Sequence, residues 1–210
     1  MPRPRSLTPE RLADAALAVL GRDGLGGLTM RAAAAELGMS TMAVYRYVAD
    51  RAELERLVVD RVLRDVDVTP PPGLPWDRQV AALMGRVRAA VGEHPEAVPL
   101  LVAHRQSAPG VWRWSEAVLG VLTGAGLGGV RRVAALRALT SYLVGALQNN
   151  RLGPLAGPGT GILAALPADR YPLLAATAAD AGHLPADEEF ARGLDLLLRG
   201  LRAETDARPT

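Results

Sequence analysis

Apolar residues in this chain recur at three- and four-residue intervals, and the pattern breaks only where Gly and Pro gather, which commits most of the chain to amphipathic helices. Leu12, Ala16, Val19 and Leu20 mark one such face, Leu54, Leu57, Val58 and Val62 another. Phe190, Leu194, Leu197, Leu198 and Leu201 mark the last. Ala, Leu and Arg dominate, aromatics are only 4%, and runs of strand formers are scarce. With 49% hydrophobic residues in 210, the chain can fill a proper core. The expected fold is all-α.

Several chemistries are excluded at once. Cysteine is absent, which removes disulfides, thiol catalysis and cysteine-ligated zinc and points to a cytoplasmic protein. Every cation is Arg and none is Lys, so lysine-dependent phosphate loops and Schiff bases have no residue to use. The formal charge of +2 fits an ordinary mixed surface and says nothing specific about nucleic acid. The basic start, Met1 to Ser6, leads into a charged segment and does not read as a signal peptide. The longest apolar run, Ala117 to Val130, is broken by glycines and falls short of the roughly 18 residues a membrane span needs.

Thr8-Pro9-Glu10 reads as a helix start, with a capping hydroxyl, a proline at the first helical position and an acid in the first turn. Gly24, Gly26 and Gly27 are expected to stop that helix. A second helix is expected from Thr29 to Leu37. Gly38-Met39-Ser40 then makes a tight turn into a third, Thr41 to Val48, and two short helices about such a turn form a helix-turn-helix. Asp50 and Glu53 resemble a capping box opening a fourth helix that runs to about Val66. The four prolines between Val68 and Pro75 place a boundary, giving a domain over 1–66 that includes a linking helix at 50–66, and a larger helical domain over 67–210. In the latter, helices are expected near 76–92, 95–106, 112–125, 130–150, 168–181 and 187–203, with joints at 107–110, 126–129, 153–161 and 182–185.

Val133, Leu136, Thr140, Leu143 and Leu147 follow a heptad-like spacing, beside a strip of small residues, Ala134, Ala138, Ser141 and Gly145, that would admit another helix closely. Periodicity leaves open whether this helix and the last one pack within one subunit or form a bundle shared by two.

The stretch from Leu28 to Leu54 resembles the DNA-binding signature of the tetracycline-repressor (TetR) family. Thr29 opens the second helix, Leu37-Gly38-Met39-Ser40 supplies the turn, Tyr45 stands at the centre of the third helix and Arg51 precedes the fourth. Ala33 departs from the pattern, where a larger aliphatic is common. The resemblance is close over about the first 66 residues and extends beyond them in layout, including a terminal helix of the type Phe190-x-x-Gly193-Leu194-x-x-Leu197-Leu198. It implies a three-helix DNA-binding domain joined to a helical effector-binding and dimerisation domain. It also implies a homodimer formed through the helices near 130–150 and 187–203, a palindromic double-stranded operator, and repression lifted by a small-molecule effector.

A third helix set in the major groove presents its first residues to base edges. Thr41, Met42 and Ala43 are the expected outward-facing readers, with the Met42 and Ala43 side chains suited to thymine methyls. Arg31 can reach a guanine edge, while Thr29, Ser40, Tyr45, Tyr47 and Arg51 suit phosphates; Arg3 and Arg5 lie on a basic tail. For Tyr45, packing between helices is the alternative. The resemblance further points to an effector pocket in the second region, where His104, Arg105, Trp112, Trp114, Tyr142, Gln148, Asn149 and Asn150 stand among apolar helices.

An enzymatic reading rests on Gly124-x-Gly126-x-x-Gly129, which matches a dinucleotide fingerprint literally but follows a helical pattern and lacks the downstream acid. It would make the chain a nucleotide-using enzyme with an incidental helix-turn-helix-like segment. His94, His104 and His183 lack the spacing of a helix-borne metal site, and no Gly-x-Ser-x-Gly elbow occurs. No metal, cofactor or catalytic residue is expected.

Overall fold

A computed structural model describes the backbone of residues 7–152 and 158–206, and the side chains of 7–149 and 159–205. Arg3 and Arg5 and the side chain of Asn150 lie outside the described residues. Helices account for the regular structure among those described, with no strand. They are α1 (Pro9–Gly27), α2 (Met30–Glu36), α3 (Thr41–Val44), α4 (Arg51–Leu63), α5 (Trp76–Gly92), α6 (Val98–Ala103), α7 (Pro109–Gly124), α8 (Gly129–Leu152), α9 (Pro158–Ala164), α10 (Pro172–Ala181) and α11 (Ala186–Asp206), with a 3₁₀ turn at Pro95–Ala97. No helix among the described residues is long and apolar enough to cross a membrane.

Packing divides the chain into two units, Met1–Pro70 with Gly85–Val118, and Pro71–Met84 with Leu119–Thr210. In the first, α1 packs on α2, α4 and the 3₁₀ turn. Leu12, Leu20, Leu28, Leu54 and Val58 are fully buried there. Each such side chain stabilises the fold by about 1.5–3 kcal/mol relative to exposure. Two polar ties fasten α4 to the start of α7: Asp60 Oδ1 accepts the Gly110 amide at 2.8 Å, and Arg113 Nη2 donates to the Leu63 carbonyl at 3.5 Å. These ties explain why residues 98–118 pack with the N-terminal helices although they come forty residues later.

In the second unit α8 and α11 run antiparallel, since Arg131 Nη1 donates to the Glu204 carbonyl at 2.9 Å and Tyr142 donates to the Phe190 carbonyl at 2.8 Å. Leu139, Leu143, Leu147, Phe190, Leu194 and Leu198 are their buried residues. α9 packs on α10.

The helices differ from expectation where a local residue overrides periodicity. α1 continues to Gly27, but Gly24 takes φ 69°, so the expected stop is a kink inside the helix. The third helix ends at Val44, with turns over 45–47 in place of a helix to Val48. The fourth ends at Leu63 rather than Val66. The helix expected over 95–106 is a 3₁₀ turn followed by α6, because Pro99 suits the start of a helix and not its interior. The helix expected from 168 starts at Pro172. Within the joint expected at 153–161, residues from Pro158 onward begin α9.

Candidate nucleic-acid interface

The DNA-facing candidates stand on a scaffold whose caps are all local. Thr29 Oγ1 accepts the Ala32 amide at 3.0 Å and starts α2. Gly38 takes φ +65°, the left-handed conformation that lets the chain reverse between α2 and α3 without a Cβ penalty. Asp50 Oδ1 accepts the Glu53 amide at 2.8 Å, and Glu53 Oε2 in return accepts the Ala49 amide at 2.7 Å. This is a capping box displaced by one residue on its return arm. Arg22 bridges α1 and α2 through Glu36 at 2.8 Å.

On this scaffold Arg31, Ser40, Met42, Tyr45 and Tyr47 are exposed and Thr41 is half-buried. Met42 is 71% exposed, against 47% for Tyr45 and 39% for Tyr47. Ala43, expected to face outward, is buried at 7%. The reason is steric: Ala33, Ala34 and Ala43 are all buried where α2 and α3 pack, and small side chains allow that approach. Arg46, which the helical pattern does not single out, is exposed in the turn after α3.

Arg51 is placed differently. Its Nη2 donates to the Leu25 carbonyl at 2.9 Å and its Nε to Glu55 Oε1 at 2.7 Å, so it ties α4 to the end of α1. The other oxygen of Glu55 meets His104 Nε2 at 2.9 Å. Burial pushes the Glu55 carboxyl up, but hydrogen bonds from His104 and Arg51, with their charges, outweigh it and hold the group below its ordinary value.

The effector candidates fall into both units and are not alike. In the first, His104 is engaged by Glu55, Arg105 donates to the Val102 carbonyl at 2.8 Å, Trp112 is 53% exposed and Trp114 is buried. In the second, the Tyr142 ring stacks on Phe190 with centroids 5.4 Å apart, and Gln148 and Asn149 are exposed. A cleft of about 430 Å³ in the first unit is lined by none of them; it lies between the end of α4 and the end of α5, among Arg61, Asp65, Arg86 and Glu93. Among the described residues no group of His, Cys, Asp or Glu is arranged to hold a metal ion. The glycines 124, 126 and 129 join α7 to α8, helix to helix, rather than strand to helix as a dinucleotide fold requires.

Comparison with known proteins decides the family. Residues 69–205 match the model described as the tetracyclin repressor-like C-terminal domain, and 12–55 match that of the tetR family of bacterial regulatory proteins. The chain belongs to the TetR family. It is therefore a DNA-binding transcriptional regulator. The HTH-type transcriptional repressor DrrR1 of Streptomyces coeruleorubidus is 31% identical over 95% of this chain and 78% of its own length. Apo ActR of Streptomyces coelicolor superposes with a TM-score of 0.83 at 28% identity, covering 96% of this chain and 97% of ActR. ActR in complex with actinorhodin gives 0.81 at the same identity, over 95% of this chain and 97% of ActR. This TetR-family chain thus shares its fold with ActR across nearly its whole length, well beyond the signature at 28–54.

Proposed function

We propose that this protein is a homodimeric repressor that binds a palindromic operator and leaves it when a small-molecule effector occupies the helical domain over 67–210. The observation that carries the reading is the exposure of Arg31, Met42, Tyr45, Arg46 and Tyr47 on a helix-turn-helix over 29–48 whose first helix is capped by Thr29. Met42 and Thr41 read base edges, Arg31 reaches a guanine, and Ser40, Tyr45, Tyr47 and Arg46 fix phosphates. Thr29 acts as a cap and Arg51 as an internal tie, each supporting the readers.

Dimerisation uses α8 and α11. The small-residue strip supports this: Ala134 and Ser141 are exposed, Ala138 and Gly145 half-buried, and Val130 is 84% and Leu196 69% exposed. A second copy laid on these faces places two reading heads about one DNA turn, roughly 34 Å, apart. Effector response is supported by ActR, which is solved with actinorhodin and with (S)-DNPA. The protein acts by binding, carries out no reaction, and works in the cytoplasm where its DNA is.

A mobility-shift titration with the duplex flanking its own gene tests the reading. The expected result is saturable, sequence-specific binding as a dimer. Nucleotide binding that depends on Gly124, Gly126 and Gly129, without duplex binding, would instead favour the enzyme.

A further inference from the structure

Three segments far apart in sequence are joined by one continuous polar connection. His104, which caps the end of α6, meets Glu55 Oε2 at 2.9 Å. Glu55 uses its other oxygen for Arg51 at 2.7 Å, and Arg51 reaches the Leu25 carbonyl at 2.9 Å. Leu25 lies just beyond the Gly24 kink and three residues before the buried Leu28, which precedes the Thr29 cap of α2. The connection therefore runs from the end of α6, across α4, to the segment that enters the helix-turn-helix. Its middle is sheltered, with the His104 and Glu55 side chains 11% and 16% exposed. A charged pair there is screened far less than one on the surface.

We propose that His104 is a proton-sensitive positioning residue for the DNA-reading head, acting through Glu55 and Arg51 on the segment Leu25 to Thr29. The protonated ring presents a full charge to Glu55. The neutral ring loses that attraction between opposite charges and keeps at most a hydrogen bond to the carboxylate. Among the described residues, Glu55 and Ser107 supply the contacts to the ring, Ser107 Oγ lying 3.5 Å from Nδ1. The other charged groups on the elements packed against α6 are placed elsewhere. Glu53 accepts the Ala49 amide, Asp60 accepts the Gly110 amide, Arg61 pairs with Asp14 and Asp65, and Glu96 of the 3₁₀ turn faces His94. Arg56, also on α4, is half-buried.

The direction of the effect rests on the proposed effector-released repressor. Closure of the connection holds the segment Leu25 to Thr29 in one arrangement, and a reading head ordered before it meets DNA binds more tightly, so protonation of His104 raises operator affinity. The acid limit is set by Glu55, which must stay ionised for the pair to exist.

Two measurements on the full-length protein test this. In the first, NMR follows the His104 ring, the Arg51 Nε–H and the amides of Leu25 to Thr29 from about pH 5.5 to 8, the range in which histidine changes charge. All are expected to follow one titration curve in wild type, and the head signals to go flat in Glu55→Gln and His104→Gln. Head signals that ignore the His104 titration overturn the proposal. In the second, operator affinity is measured over the same range, and wild type is expected to bind at least about fivefold tighter at the acid end, the low end of site-to-site coupling. His104→Gln, which keeps a neutral donor of similar size, is expected to bind evenly at the wild-type alkaline level. His94 and His183 are present in both proteins, so identical profiles for the two would overturn the proposal. If neither protein binds any duplex specifically, the repressor reading fails and the titration alone decides the connection.

Discussion

Between Leu28 and Leu54 the branched aliphatics Leu28, Val44, Val48 and Leu54 are buried, and the exposed large hydrophobic side chains are Met39, Met42, Tyr45 and Tyr47. Over α8–α11 the reverse holds, with Val130, Leu173 and Leu196 exposed at 84%, 82% and 69%. A tyrosine hydroxyl has partners in water and phosphate, and a thioether adapts to either surface; a valine or leucine in water has only the cost of its exposure. The reading head is thus complete within one chain, whereas the second unit carries apolar faces that suit a second copy.

The largest test of that contrast is Val130→Glu with Leu196→Glu. It should yield monomers in sedimentation equilibrium and weaken operator binding by about 10²–10⁴-fold, because two linked heads bind far better than one. Retained dimers with unchanged affinity would break it. Next, Leu54→Ala should cost about 2–5 kcal/mol in urea unfolding, as expected for a fully buried leucine, while leaving the dimer intact. Arg31→Ala and Arg46→Ala then separate reading from anchoring within the head. The first should lose about 1–3 kcal/mol of discrimination at one base pair. The second should weaken all duplexes alike and lower the salt slope by about one. The smallest effect concerns acid. The Glu55 carboxyl is lowered from 4.5 in the fold, so its contribution is fully present above that value and lost as pH falls through the lowered one. Urea midpoints between about pH 6 and 3 should accordingly fall less in Glu55→Gln than in wild type.

The head was legible in the sequence because its instructions are local. Thr29, Gly38 and the Asp50–Glu53 box each act within four residues, and all three do in the structure what their chemistry implies. The face of α3 was not legible: in a helix of four residues, Ala43 turns inward because α2 needs a small neighbour, which no period reveals. The tie made by Arg51 was equally hidden. Its partner Leu25 is 26 residues away, so a cation at the start of α4 shows no such contact when read in order. α9 contains two glycines and starts at a proline, a composition that reads as a joint; packing on α10 outweighs it. Arg46 left one usable signal, its cation between Tyr45 and Tyr47 just after the reading helix.

At Gly110 a methyl group would stand 2.9 Å from Leu63 Cβ and 3.3 Å from Asp60 Oδ1. Position 110 therefore sets a clearance rather than a chemistry: there is no slack between α4 and the start of α7, and even alanine must act as a shim that pushes them apart. A mutational search for altered effector response has wide latitude at exposed Trp112, two residues on, and almost none at 110, where the smallest increment of bulk is already a change of geometry.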